Sequence, residues 1–147
     1  MAHPEISLQK LQQEMKSESP DNTRIKASKH LVHLVETHPK TVFMLIKQTI
    51  QGDDRHETYE VRVNAVRALA AMAKFDLPEE GIQAVSSLFW TAMNDSSWMV
   101  RFEVVKNIHL LHELNPEMAD QCTEKALIDK WWFVKELAQE WESSRSC

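Results

Sequence analysis

Asp95-Ser96-Ser97-Trp98-Met99-Val100-Arg101 returns 34 residues later as Asp129-Lys130-Trp131-Trp132-Phe133-Val134-Lys135. In both stretches an Asp is followed by Trp three residues on, Val five on and a cation six on. The Val-cation place is filled twice more upstream, by Thr23-Arg24 and Val61-Arg62, so the four pairs stand 38, 39 and 34 residues apart. Four residues after the first member of each pair comes Ala27, Ala65, Val104 or Ala138. Eight after it come Leu31, Leu69 and Ile108, with Glu142 breaking the series in the last copy. Positions i, i+4 and i+8 share one helical face. A self-similar period of this length marks an array of helical hairpins.

Four prolines punctuate the same period. Pro4, Pro39, Pro78 and Pro116 lie 35, 39 and 38 residues apart, each ahead of helix-forming residues. Proline suits the first turn of a helix, where its missing N–H costs nothing, and a nearby Glu suits the positive end of the helix dipole. The pattern predicts an all-α domain of eight helices in four hairpins. Outer helices are expected over 5–16, 40–51, 79–93 and 117–128, inner helices over 21–37, 58–75, 98–114 and 131–142. The repeats would span 4–37, 39–75, 78–114 and 116–142 of one domain, 1–142, with 143–147 a mobile tail.

Composition agrees. The 147 residues include two Gly and five Pro, too few for the tight turns of a sandwich, a propeller or a dinucleotide-binding loop. The net charge of −5 opposes non-specific nucleic-acid binding. The charge is uneven: 1–75 hold 11 basic and 9 acidic side chains, 76–147 hold 6 and 13. Cys122 and Cys147 form neither a disulfide framework nor a zinc motif, which fits a reducing, cytoplasmic setting. No signal-peptide pattern opens the chain, and no run approaches the ~20 apolar residues of a membrane span.

The Asp-x-x-Trp-x-Val-cation pattern resembles the HEAT repeat, with its Asp in the turn and its Val-Arg in the second helix. The resemblance covers nearly the whole chain and is strongest in the last two copies. It implies a right-handed α-α superhelix, a solenoid whose inner helices line a shallow concave surface. It also implies a ladder of acidic and basic side chains between repeats, here Glu18, Asp95 and Asp129 with Arg101 and Lys135. In the second copy His56 stands six before Arg62, where the acid belongs. Stacking is physically required, because one hairpin cannot bury its apolar face alone and the polar turn must be satisfied across the seam.

Three enzyme or ligand readings use the same residues. His30/His33 and His109/His112 are i, i+3 pairs, and His56-Glu57 and His112-Glu113 resemble the His-Glu pairs of HEAT-like iron hydroxylases. Here the pairs fall in different phases of the repeat, and we expect no metal site or cofactor. Trp98, Asp95, Arg101 and Trp132 resemble the damaged-nucleotide grip of HEAT-like alkylpurine DNA glycosylases. However, the basic inner-helix residues Arg24, Lys26, Lys29, Arg62 and Arg67 lie in the other half of the chain. A HEAT-like bilin-lyase subunit is a third relative, with Cys122 better read as a small buried hydrophobe. No nucleophile–base motif stands out, so no catalytic residue is assigned.

The expected function is therefore a non-enzymatic adaptor or scaffold that binds another protein. Its contact residues would be Arg24, Arg62, Trp98, Arg101, Trp131, Trp132 and Trp141, with Arg101 more readily explained by the ladder. The aromatic last hairpin, with no repeat to cover it, also predicts a homodimer through that end.

Overall fold

The computed structural model describes residues 8–16, 19–51 and 58–145. Among these residues the chain is helical without strands. The elements are α1 (Leu8–Glu14), α2 (Asp21–Lys29), α3 (Leu31–Leu34), α4 (Pro39–Ile50), α5 (Tyr59–Met72), α6 (Glu79–Met93), α7 (Trp98–Lys106), α8 (Ile108–Leu114), α9 (Pro116–Leu127) and α10 (Trp132–Arg145). Two proline marks act as expected: Pro39 and Pro116 sit in the first turns of α4 and α9, and Asn115 caps α9 by accepting from Met118 N–H at 3.2 Å. Pro78 stands one residue earlier, as the N-cap of α6. Ser97 caps α7, accepting from Met99 N–H. Pro4 and the second copy's His56 lie outside the described residues.

The helix count departs from eight because two inner helices are interrupted. α2 and α3 break at His30, whose N–H turns to Ala27 O, three residues back. Just before the break the Ser28 hydroxyl donates to Ile25 O at 2.8 Å, a back-bond that bends helices. α7 and α8 break at Asn107, whose side-chain amide donates to Glu103 O at 2.8 Å and takes the carbonyl its own N–H would use. That N–H turns to Val104 O instead. Polar side chains, not glycine or proline, thus kink both helices. The expected tail is also helical as far as Arg145, with the Ser144 hydroxyl on Trp141 O and Arg145 reaching Asp120 at 3.2 Å.

Helices pair within hairpins, α4 with α5, α6 with α7 and α8, and α9 with α10, and α1 meets α2. The hairpins meet side by side: α5 touches α2 and α7, α7 touches α10, and on the other layer α6 touches α4 and α9. One continuous core lies between the layers. Leu31, Ile46, Leu69, Phe89, Val104 and Leu111 fill it, and Ala65, Ala68, Ala92, Ala126 and Ala138 let the helices approach. The i+4 and i+8 positions of the repeat, Ala27, Ala65, Val104, Ala138, Leu31, Leu69 and Ile108, are all buried. No helix among the described residues is long and apolar enough to cross a membrane.

Candidate functional site: a groove along the inner helices

The repeating cations divide into two sets. The first runs through the hairpin turns. Arg62 donates from Nε and Nη2 to both oxygens of Asp95, at 2.9 and 3.0 Å, and both side chains are at most 3% exposed. Asp95 also accepts from Ser97 N–H, and its carbonyl accepts from Arg101 Nη1 at 2.8 Å. Arg101 in turn grips Asp129 at 2.7 and 3.1 Å. The same carboxylate accepts from Trp131 N–H. The result is a relay, Arg62–Asp95–Arg101–Asp129, joining three consecutive hairpins. Burial alone would raise the Asp129 pKa, but the hydrogen bonds from Arg101 and Trp131 and the charges of Arg101 and Lys125 prevail and hold it below the usual carboxylate range.

This geometry sorts the sequence-derived residues. Arg62, expected as a contact residue, is buried inside the relay, and Arg101 is buried with it. Arg62 is 3% exposed, whereas Arg101, 7% exposed, lines a pocket of about 310 Å³ with Asp95, Asp129, Lys125 and Lys130. Arg24 is half-buried, donating from Nε to Ser19 O at 2.9 Å and lying 3.9 Å from Asp21. Lys135, placed in the ladder by its spacing, is exposed and makes no ion pair among the described residues. Glu18 lies outside the described residues.

The tryptophans are split in the same way. Trp90 is half-buried against the core, as packing alone would place it. Trp141 is half-buried too, with His112 edge-on at 5.7 Å and the Arg145 guanidinium 5.3 Å from its ring centre. Its buried Nε1 has no hydrogen-bond partner among the described residues. Trp98, Trp131 and Trp132 instead join Phe133 in one aromatic shelf. Trp98 meets Phe133 at 5.6 Å, Trp131 at 5.4 Å and Phe102 at 6.0 Å, and Trp132 stacks on Phe133 at 4.1 Å. Trp131, Trp132 and Phe133 nevertheless remain 42, 57 and 43% exposed. Trp131, expected as the first residue of the last inner helix, instead precedes α10 and meets Trp98, whereas Trp132 opens the helix and meets Phe133.

The shelf closes one end of a groove of about 510 Å³ across α2, α5, α7 and α10. Its aromatic edge is Tyr59, Trp98 and Phe133, and Phe102 lies within it. Its mostly apolar lining also holds a connected cluster of polar side chains. Buried Asn64 donates to Ser28 Oγ at 2.9 Å and accepts from Arg67 Nη1 at 3.2 Å. Arg67 Nε lies 3.4 Å from the carboxylate of buried Glu103, which also accepts from Asn107 and faces Lys106 at 3.7 Å. Sequence reasoning named Trp98 here and, among basic residues, Lys29 and Arg67. It did not single out Tyr59, Asn64, Phe102, Glu103 or Lys106. Their signal is a spacing: Tyr59-Val63-Arg67 and Trp98-Phe102-Lys106 are i, i+4, i+8 stripes on the face opposite the one that fills the core.

The ligand candidates find less. Among the described residues no three His, Cys, Asp or Glu side chains are grouped to hold a metal. The His30 and His33 rings lie 6.3 Å apart, His109 is exposed, His112 faces Trp141, and His56-Glu57 lies outside the described residues. Cys122 is fully buried, and desolvation pushes its thiol up to about 12, a packed group and not a nucleophile. Comparison of the chain with protein families, curated proteins and solved structures finds no match.

Proposed function

We propose that this chain is a HEAT-like module, its hairpins stacked in a right-handed superhelix, that binds another protein along the groove and the aromatic shelf and carries no catalysis of its own. The observation that carries the reading is the shelf: four aromatic side chains joined through successive ring contacts, three of them more than 40% exposed, two of the four, Trp98 and Phe133, lining the groove. Large aromatic anchors beside an ordered arginine are the composition of interface hot spots. A shelf this size left facing water is a cost that a partner removes. The pairing of Asp95 with Arg62 and of Arg101 with Asp129 argues against the nucleotide grip of the glycosylase-like alternative, which would use Asp95 and Arg101 on its ligand.

The test is capture of partners from a nuclease-treated lysate of the source cells by wild type, by Trp98→Ala/Trp132→Ala and by the outer-helix variant Lys47→Glu. A protein retained by wild type and Lys47→Glu but lost from the double variant supports the reading. Retention by all three, or recovery of nucleic acid alone, overturns it. Sedimentation of wild type and Trp132→Ala at tens of micromolar checks the second-copy version: a dimer that Trp132→Ala dissociates supports it, a monomer overturns it.

A further inference from the structure

The second set of cations lies along the far side of the groove. Lys29, Arg67 and Lys106 each stand five residues after a repeat arginine, Arg24, Arg62 and Arg101, and so hold the same register on α2, α5 and α7. All three line the groove and are exposed. These helices are direct neighbours, α2 against α5 and α5 against α7. Two turns back on α5 and α7 stand Tyr59 and Trp98, the aromatic edge. The groove thus has a cationic rim and an aromatic rim running parallel across the hairpins. In the fourth copy the register position is Glu140, which ends the cationic row.

We infer that the groove takes an extended acidic protein segment with aromatic or large apolar anchors, laid across the hairpins. This rests on the protein-binding reading above and gives the partner its chemistry. Packed helices lie about 8–10 Å apart, and a segment extended as polyproline II advances about 3.1 Å per residue with about three residues per turn, so every third side chain returns to one face. One carboxylate about every third residue therefore meets Lys29, Arg67 and Lys106 in turn. The intervening side chains reach the aromatic rim. Arg67 is held by Asn64 and Glu103, so its remaining N–H groups are oriented before the segment arrives. Lys29 makes no ion pair among the described residues. Glu103 sits beneath the row, buried and neutralised by Arg67 and Lys106, so the cations dominate the accessible rim. Glu60 also lines the groove, so its lining holds three cations against two carboxylates, and that small surplus in a chain of −5 overall suits a few carboxylates better than the continuous phosphates of a nucleic-acid strand.

The experiment is selection of a phage-displayed random dodecapeptide library on the full chain, followed by fluorescence anisotropy of the leading peptide. The expected result is enrichment of peptides with at least three acidic residues and an aromatic or large apolar anchor, bound more weakly as salt rises. Lys29→Glu, Arg67→Glu and Lys106→Glu should each weaken binding about tenfold or more, since like charges now face each other. Lys47→Glu should leave it unchanged. Lys29→Glu removes no ion pair or side-chain hydrogen bond among the described residues, so it serves if Arg67→Glu perturbs the fold, which circular dichroism checks. Enrichment of neutral or basic peptides, no enrichment, indifference to all three reversals, or tighter binding of oligo-dT through the same cations would overturn the inference. If the lysate partner depends on Trp98 and Trp132 but not on the three cations, the acidic-segment inference fails while the protein-binding reading stands. If it depends on neither set, both fail.

Discussion

Removing one member of the Arg62–Asp95 pair should be among the most damaging surface-silent changes this chain can suffer. The two side chains are 3% and 2% exposed and joined by two hydrogen bonds at 2.9 and 3.0 Å. Arg62→Met keeps much of the side-chain volume but strips the bidentate partner from a buried carboxylate. Such an uncompensated charge costs about 3–5 kcal/mol, against a total stability of about 5–15 kcal/mol for a domain. With a urea slope of about 1–3 kcal/mol per molar, the midpoint should fall by about 1 M or more. The double variant Arg62→Met/Asp95→Leu should recover most of that loss, because apolar side chains can replace a buried ion pair at little cost. Arg145→Met offers the contrast. Its pair with Asp120 is at 3.2 Å but 33 and 55% exposed, so the change should cost about 0–1 kcal/mol. Urea unfolding followed by circular dichroism reads wild type, these three variants and the single variant Asp95→Leu. A loss below about 1 kcal/mol in Arg62→Met, or losses that simply add in the double variant, would show that the relay does not join the hairpins as its geometry implies.

Further expectations concern the relay's other end, the thiol and the shelf. Asp129 is held below its ordinary range in the fold, so its contribution is present above the unfolded value of about 3.9 and is lost as pH falls through the folded value. The stability gap between wild type and Asp129→Asn in urea should therefore be widest near neutrality and close as pH drops below about 4; a gap that stays constant refutes the assignment. In a Cys147→Ser background, Cys122 should resist iodoacetamide at neutral pH until denaturant is added, since its thiol stays protonated to about 12; prompt labelling of folded protein would contradict this. Trp132→Ala should change stability by less than about 1 kcal/mol despite its size, because the ring is 57% exposed. A larger loss would make the shelf a structural element.

The sequence carried the helical architecture because helix-forming residues leave periodic marks. Prolines at helix starts, apolar residues at i, i+4 and i+8, and a repeated Asp-to-cation spacing are local, and each survives without knowledge of what lies opposite. The same local logic failed where a single side chain chose between two neighbours. Ser28 and Asn107 look like ordinary helix-surface residues, yet their hydrogen bonds to Ile25 O and to Glu103 O interrupt the inner helices. The serine-rich end reads as a tail, yet Arg145, set across from Asp120 and Trp141, lies in the helix's last turn.

The division of labour among the cations could be settled only in three dimensions. Arg62 and Arg67 have the same chemistry, five residues apart on one helix. A five-residue step turns an α-helix by about 500°, which puts the two guanidiniums on faces about 140° apart. One meets Asp95 of the next hairpin and is buried, and the other meets Asn64 and Glu103 at the groove. The chain by itself determined that there would be hairpins, that their apolar faces would need each other, and that a cation would recur in every copy, with an Asp six residues before it in the last two. Which cation is buried between hairpins and which faces solvent was decided by packing, because that depends on what the neighbouring helix presents.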